Sequence, residues 1–411
     1  MSVQPCPAVT VVVPVYNRLS VLTATLDGVR AQTDSGWELI VVDDGSQEDV
    51  GGFVGRYADP RIRYMRQSNQ GNAAARNTGI AHGVGEYVVC LDSDDVWHAD
   101  FLRTCVERLA ADPDVDVVFT QVRFIDAGGQ LLRLPGNRPP CHSDLLQDLL
   151  MGYPLFPSSA VVRRSSFDRW GPFTPGLDDW DLWLRWAIQG CRFACIERPL
   201  VDYRIHDQNF NQDYDRRRAV HFATLDRFYS RKCLPEAAAR LRERAYANQH
   251  FCFAVLAWET DRPADGIAEF ASAVLRHPAY LSDLDFYTRI ACAHQGRVDA
   301  GTAHGLSLAM AEATLRQCLT ALFARLDLPP GLHTSEGAAY GWAYVALARV
   351  AYGIAHDMAQ ARCWLWRALR ARPALLLCSD WAVWLVRSTL GQPRIQAAKR
   401  FSDRPPPGEP T

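Results

Sequence analysis

Tyr87-Val88-Val89-Cys90-Leu91-Asp92-Ser93-Asp94-Asp95 is the stretch that decides the fold. Five apolar, β-prone residues run without a break into three carboxylates. A run of that kind is a strand buried on both faces, as in a covered parallel sheet, and here it stops in negative charge. The same design stands upstream in Leu39-Ile40-Val41-Val42-Asp43-Asp44, and further acids follow at Asp178-Asp179 and Asp181. In open α/β sheets ligands bind outside the carboxyl ends of the strands. Clustered carboxylates repel one another unless a cation or donors neutralise them. The pattern therefore implies an α/β enzyme that holds a divalent metal and a phosphorylated ligand.

Outward from these runs, strand and helix signals alternate. Val9–Val13, Trp37–Val42, Arg61–Met65, Tyr87–Leu91 and Val115–Phe119 read as strands. Arg18–Ala31, Glu48–Tyr57, Gly71–His82 and Ala99–Ala110 read as the helices between them. Apolar strands joined by helices predict a mostly parallel, Rossmann-like sheet covered on both faces. Residues 120–210 are less regular and richer in Pro, Gly and aromatics, as expected of loops that carry a second substrate.

From Asp215 the composition turns to Ala, Leu and Arg, and helical spacing runs almost to Lys399. We expect residues 1–214 as an α/β domain, 215–400 as an all-α domain and 401–411 as a disordered tail. Two windows of the helical half, Asn248–Tyr280 and Trp342–Leu375, are alike. The second resembles a tetratricopeptide repeat at Tyr352, Ala361, Leu365, Ala368 and Pro373; a plain helical bundle is the alternative.

Among the 411 residues the formal net charge is -2, which gives no whole-protein sign of nucleic-acid binding. Twelve cysteines lie without CxxC pairs or zinc spacing, as apolar thiols do in a reducing compartment. Met1–Pro5 lacks a signal-peptide pattern, and Pro373–Gln392, interrupted by Asp380 and Arg387, is expected as a core helix. The expected location is cytoplasmic, with peripheral contact to the inner face of a membrane open through a basic stretch, Arg216-Arg217-Arg218, Arg227 and Arg231-Lys232. A solvated helix face, protein docking or self-association are the other readings of that stretch.

Several short segments carry chemistry. Val13-Pro14-Val15-Tyr16-Asn17-Arg18 is a strand-to-helix turn that presents backbone donors to an anion. Val41-Val42-Asp43-Asp44-Gly45-Ser46 puts an acceptor at a strand end, or merely caps a helix before Glu48. Gln70-Gly71-Asn72-Ala73-Ala74-Ala75-Arg76-Asn77 offers close backbone approach at Gly71 and a cation at Arg76. Asp92 and Asp94 form an Asp-x-Asp pair suited to a hard divalent ion, while Asp95 is expected to cap the helix after Trp97. Gly176-Leu177-Asp178-Asp179-Trp180-Asp181-Leu182-Trp183 opens an amphipathic helix with acids, which also favours the helix dipole. Val201-Asp202-Tyr203-Arg204-Ile205-His206 closes the series.

In this order, over residues 8 to about 210, the segments resemble the family 2 glycosyltransferases. The resemblance implies a GT-A fold and transfer of a sugar, with inversion, from a nucleotide-sugar donor to a hydroxyl of a glycan or lipid-linked acceptor. It implies a UDP donor and a Mg or Mn cofactor. It assigns donor binding to Pro14, Tyr16, Asn17, Asp44, Asp43, Gly71, Arg76, Asp92 and Arg204. Metal binding falls to Asp94, Asp92 and His206, and the general base to Asp179 with Asp178 second. Asp178 stands where the family more often has Glu. The competing readings are a sugar-phosphate nucleotidyltransferase, against which Pro14-Val15-Tyr16-Asn17 is not a Gly-rich basic loop, and an inactive domain that scaffolds partners through its helices.

Overall fold

The computed structural model describes residues 7–132, 145–152, 155–174, 179–205, 213–293 and 307–373. Asp178, His206, the tail and nearly all of Pro373–Gln392 lie outside them. The chain divides into two compact units, residues 1–245 and 246–411.

The first unit is built on a nine-stranded sheet. Its strands are β1 (Val9–Val15), β2 (Trp37–Asp43), β3 (Ile62–Arg66), β4 (Tyr87–Cys90), β5 (Val96–Trp97), β6 (Val117–Ile125), β7 (Leu131–Leu132), β8 (Ala160–Arg163) and β9 (Phe193–Arg204). The order is β3-β2-β1-β4-β8-β6-β9-β5, with β7 on β6. Helices α1 (Leu19–Arg30), α2 (Val50–Gly55), α3 (Asn72–His82) and α4 (Phe101–Ala111) connect the early strands. Then come α5 (Leu145–Leu150), α6 (Ser165–Trp170), α7 (Asp179–Ile188), α8 (Tyr214–Tyr229) and α9 (Glu236–Arg240), while α10 (Arg242–Glu259) spans residue 245.

β1 pairs parallel with β2 and β4, and β2 with β3. Every residue of β1, β2 and β4 is buried, which is why their sequences are apolar without alternation. One face packs Val11, Val13, Leu39 and Val89 against Leu22, Leu26, Val29 and Phe101. On the other face α3 approaches at Gly79, where an added Cβ would stand 2.3 Å from Val12 Cγ1. Gly79→Ala is therefore expected to destabilise the protein by about 1–3 kcal/mol through overpacking. A denaturation midpoint equal to that of the unmodified chain would show that α3 can back away.

The parallel expectation holds for the first four strands and needs correction beyond them. β8 is antiparallel to both β4 and β6, and β5 is antiparallel to β9, so the sheet is mixed. The stretch read as loops contains β9, twelve residues parallel to β6. Its pattern is broken by Glu197-Arg198-Pro199. The ladder shifts register on either side of Gln121, the residue opposite Pro199, and a bulge is where a strand tolerates a residue with no N–H.

The second unit is helical: α11 (Pro263–Arg276), α12 (Leu284–Cys292), α13 (Leu308–Phe323), α14 (Pro330–His333), α15 (Glu336–Gly353) and α16 (Met358–Ala371). Its core gathers Trp258, Phe270, Phe286, Tyr287, Leu315, Leu319, Leu347 and Trp364. The two similar windows each form helix, turn, helix, and each turn carries a left-handed residue, Asp261 (φ 56°) and His356 (φ 53°). α12 to α14 lie between them in sequence. Among the described residues no helix is long and apolar enough to cross a membrane.

Candidate active site

Because β1, β2 and β4 run parallel, their carboxyl ends meet on one edge, and the order reverses direction at the β1–β4 boundary. That is the position where open α/β sheets bind ligands. Pro14 sits in β1 beyond Val12↔Cys90, where the β4 ladder has ended, so its missing N–H costs no ladder bond on that side. Tyr16 is 48% exposed at the turn. Asn17 is left-handed at φ 52°, a conformation Asn tolerates better than most residues. Its N–H donates to Ser46 Oγ at 3.0 Å and its Oδ1 accepts from Gln47 N at 2.8 Å, which ties the first turn to the second.

Asp43 and Asp44 divide their work. Buried Asp43 accepts from Ser46 N (2.7 Å), Tyr64 Oη (2.8 Å) and Arg66 NH1 (2.9 Å), and so braces the turn. Asp44 accepts from Gln67 Nε2 (2.7 Å), Gln70 N (2.9 Å) and Gly71 N (2.8 Å). It thereby shapes the loop that leads to α3. The helix after the turn is capped by Asp49, not by this pair. Gly71 holds φ 88° with open space where a Cβ would stand, so backbone can be approached closely there.

The acids after β4 meet three arginines. Asp92 pairs with Arg76 at 2.6 Å, and Asp94 pairs with Arg18 of the β1–α1 turn. Asp92 N donates to Ser158 Oγ at 3.1 Å, which fixes the start of the turn. Asp95 does not cap a helix: α4 begins at Phe101 with Asp100 before it. Asp95 is instead fully buried, and its Oδ1 accepts from Arg204 N at 3.0 Å. Its carboxyl is pushed well above the ordinary range by burial first and then by Asp94 and Asp92. The buried Arg204 guanidinium donates to the carbonyls of Asp94 (2.9 Å), Asp126 (3.2 Å) and Ala127 (3.0 Å), so β9 returns to lock the acidic turn.

Arg76 is only 4% exposed. Burial opposes its charge, yet Asp92 and then Asp179 hold its pKa above the ordinary guanidinium value. Asp179, the first residue of α7, thus acts on the same cation as the strand-end Asp92. α7 is anchored by three indoles, each donating to a backbone carbonyl: Trp180 to Leu149 (2.8 Å), Trp183 to Leu155 (2.8 Å) and Trp186 to Gly171 (3.0 Å).

Two participants escaped the sequence reading. Arg18 was legible only as a helix-start residue, since its partner lies 76 residues away. Asn77 exchanges two hydrogen bonds with the Phe173 backbone, 2.8 Å from Nδ2 to the carbonyl and 3.0 Å from the N–H to Oδ1. The Phe173 ring also lies 5.2 Å from the Arg76 guanidinium. α3 therefore fixes the chain just ahead of α7.

Among the described residues no three His, Cys, Asp or Glu side chains form a metal cage. Two carboxylates at a strand end still fit magnesium or manganese, which bind through one or two carboxylates and the phosphates of a substrate.

Residues 10–171 match the family described as Glycosyl transferase family 2. The chain is 30% identical over 208 residues to the amylovoran biosynthesis glycosyltransferase AmsB of Erwinia amylovora, covering 48% of this chain and 69% of AmsB. It is 32% identical over 252 residues to the uncharacterized protein y4gI of Sinorhizobium fredii, covering 59% of this chain but 24% of that relative, about a quarter of its length. Residues 1–349 of S. aureus TarS, solved in complex with UDP-GlcNAc, align with a TM-score of 0.50 at 17% identity, covering 79% of this chain and 95% of TarS 1–349. At that identity the likeness shows the fold.

Proposed function

The chain belongs to glycosyl transferase family 2, and we propose that it moves a sugar from a nucleotide-sugar donor, UDP being the nucleotide we favour, to a hydroxyl of a glycan or lipid-linked acceptor, with inversion. The observation that carries this proposal is the convergence on Arg76. That buried cation feels both Asp92, at the end of the central strands, and Asp179, at the start of α7. This shared influence on one cation supports a donor-side role for Asp92 and an acceptor-side role for Asp179.

On this reading Asp44 accepts from the nucleotide base, the Tyr16–Asn17 turn and Gly71 let backbone approach the donor, and Arg76 keeps Asp92 oriented toward it. Arg204 holds the backbone of the acidic turn. Asp94 and Asp92, with His206, would hold magnesium or manganese, whose chemistry is to offset the charge on the departing diphosphate. Asp179 takes the proton from the acceptor hydroxyl as its oxygen bonds to the anomeric carbon and the bond to the diphosphate breaks. One displacement from the opposite face inverts the centre.

The experiment is a donor panel, headed by UDP-GlcNAc and including GDP and dTDP sugars, with magnesium and manganese. Release of a nucleoside diphosphate is expected, UDP above the others. Pyrophosphate released from a nucleoside triphosphate and a sugar phosphate, with no diphosphate from any donor, would replace transfer by nucleotidyl transfer.

A further inference from the structure

The first turn of α7 carries a second acid, Asp181, two residues beyond Asp179 and so on a different side of the helix. Asp181 is 1% exposed. Its Oδ2 accepts from Thr174 Oγ1 at 2.9 Å and from Arg185 Nε at 2.8 Å. Arg185 spends its other two nitrogens on the carbonyls of Trp170 (3.0 Å) and Pro172 (2.7 Å). One guanidinium therefore already neutralises this carboxylate and fastens it in place.

Two more arginines nevertheless turn toward it from α8 and the residues just after it. Arg227 Nε stands 3.9 Å and Arg231 NH2 3.8 Å from Asp181 Oδ1, both too long for hydrogen bonds. Arg231 NH1 is buried and has no hydrogen-bond partner among the described residues. Burial pulls the Arg231 pKa below the ordinary guanidinium value. Asp181 opposes the fall, and Arg185 and Arg227 add to it. Among the described residues three cations thus share one anion, and a buried guanidinium donor has no acceptor, an arrangement that folding alone does not favour. The Phe228 ring lies 5.3 Å from Arg231 and limits where its planar fork can turn.

We propose that Arg227 and Arg231, backed by Asp181, form a binding site for a phosphate group. The forked donors of arginine match phosphate oxygens, and a doubly charged oxyanion would supply both the missing charge and the missing acceptor. Asp181 shares the first turn of α7 with Asp179 but lies on another side of the helix, so we assign the phosphate to a part of the acceptor away from the reacting hydroxyl. That last assignment rests on the glycosyltransferase reading; binding of phosphate does not. The group is either a phospholipid headgroup or a soluble phosphate ester.

The test is titration of the full chain with inorganic phosphate and pyrophosphate in EDTA, so that metal-held phosphate does not contribute. Flotation with phosphatidylglycerol or phosphatidylcholine vesicles runs beside it. Saturable phosphate binding that weakens tenfold or more in Arg227→Gln/Arg231→Gln is expected, with the variant's unfolding midpoint in phosphate-free buffer no lower than that of the unmodified chain. Arg227→Gln alone, at a side chain 53% exposed, carries the same comparison if the double variant does not fold. Flotation on phosphatidylglycerol that the substitutions abolish assigns a lipid headgroup; phosphate binding without flotation assigns a soluble ester. Binding that the substitutions leave unchanged, or no binding in either arm, overturns the site. Nucleoside diphosphate release without acceptor, read in parallel, shows whether the glycosyltransferase reading itself has failed.

Discussion

Asp94→Ala is expected to reduce sugar transfer by at least about 10²–10³-fold, the scale on which one preorganised charge-stabilising group acts. The loss should appear in turnover without loss of fold. Asp94 pairs with Arg18 through its side chain, at a guanidinium side chain that is 24% exposed. The bond that locks the acidic turn runs from Arg204 to the Asp94 carbonyl, which the substitution keeps. Initial rates of nucleoside diphosphate release, beside thermal unfolding of both proteins, decide the matter. A variant as active as the unmodified chain would remove Asp94 from the metal and the diphosphate alike.

Asp179→Asn should leave donor binding in place and lower transfer by about 10² or more, because the amide keeps the shape and loses the basicity. The three indole bonds that anchor α7 do not involve Asp179, so the helix should persist. Calorimetric binding of the donor and single-turnover transfer separate the two effects. If Asp178→Asn is the inactive variant and Asp179→Asn is active, the base is the neighbouring carboxylate.

The legible part of the fold was the part whose signals are local. Val9–Val13, Trp37–Val42 and Tyr87–Leu91 are apolar because both faces of those strands are covered, and the acids that follow them mark the edge. β9 was not legible, because Glu197-Arg198-Pro199 interrupts its pattern, and the bulge in β9 that absorbs the interruption shows only in its register against β6, where Pro199 faces Gln121. Asp95 looked like a helix cap because it precedes a helix, yet its partner is the backbone of Arg204, 109 residues on. The same limit hid Arg18 and Asn77. Their types are ordinary, and only the tertiary fold brings them to Asp94 and Phe173.

The most direct measurement of the central claim is nucleoside diphosphate release from the preferred nucleotide sugar, followed with metal, then with EDTA, then with manganese restored in excess. Release that stops with EDTA and returns with manganese, in the unmodified chain and not in Asp94→Ala, is the predicted result. Release that continues undiminished in EDTA, or an absence of release from every donor with either metal, would contradict it.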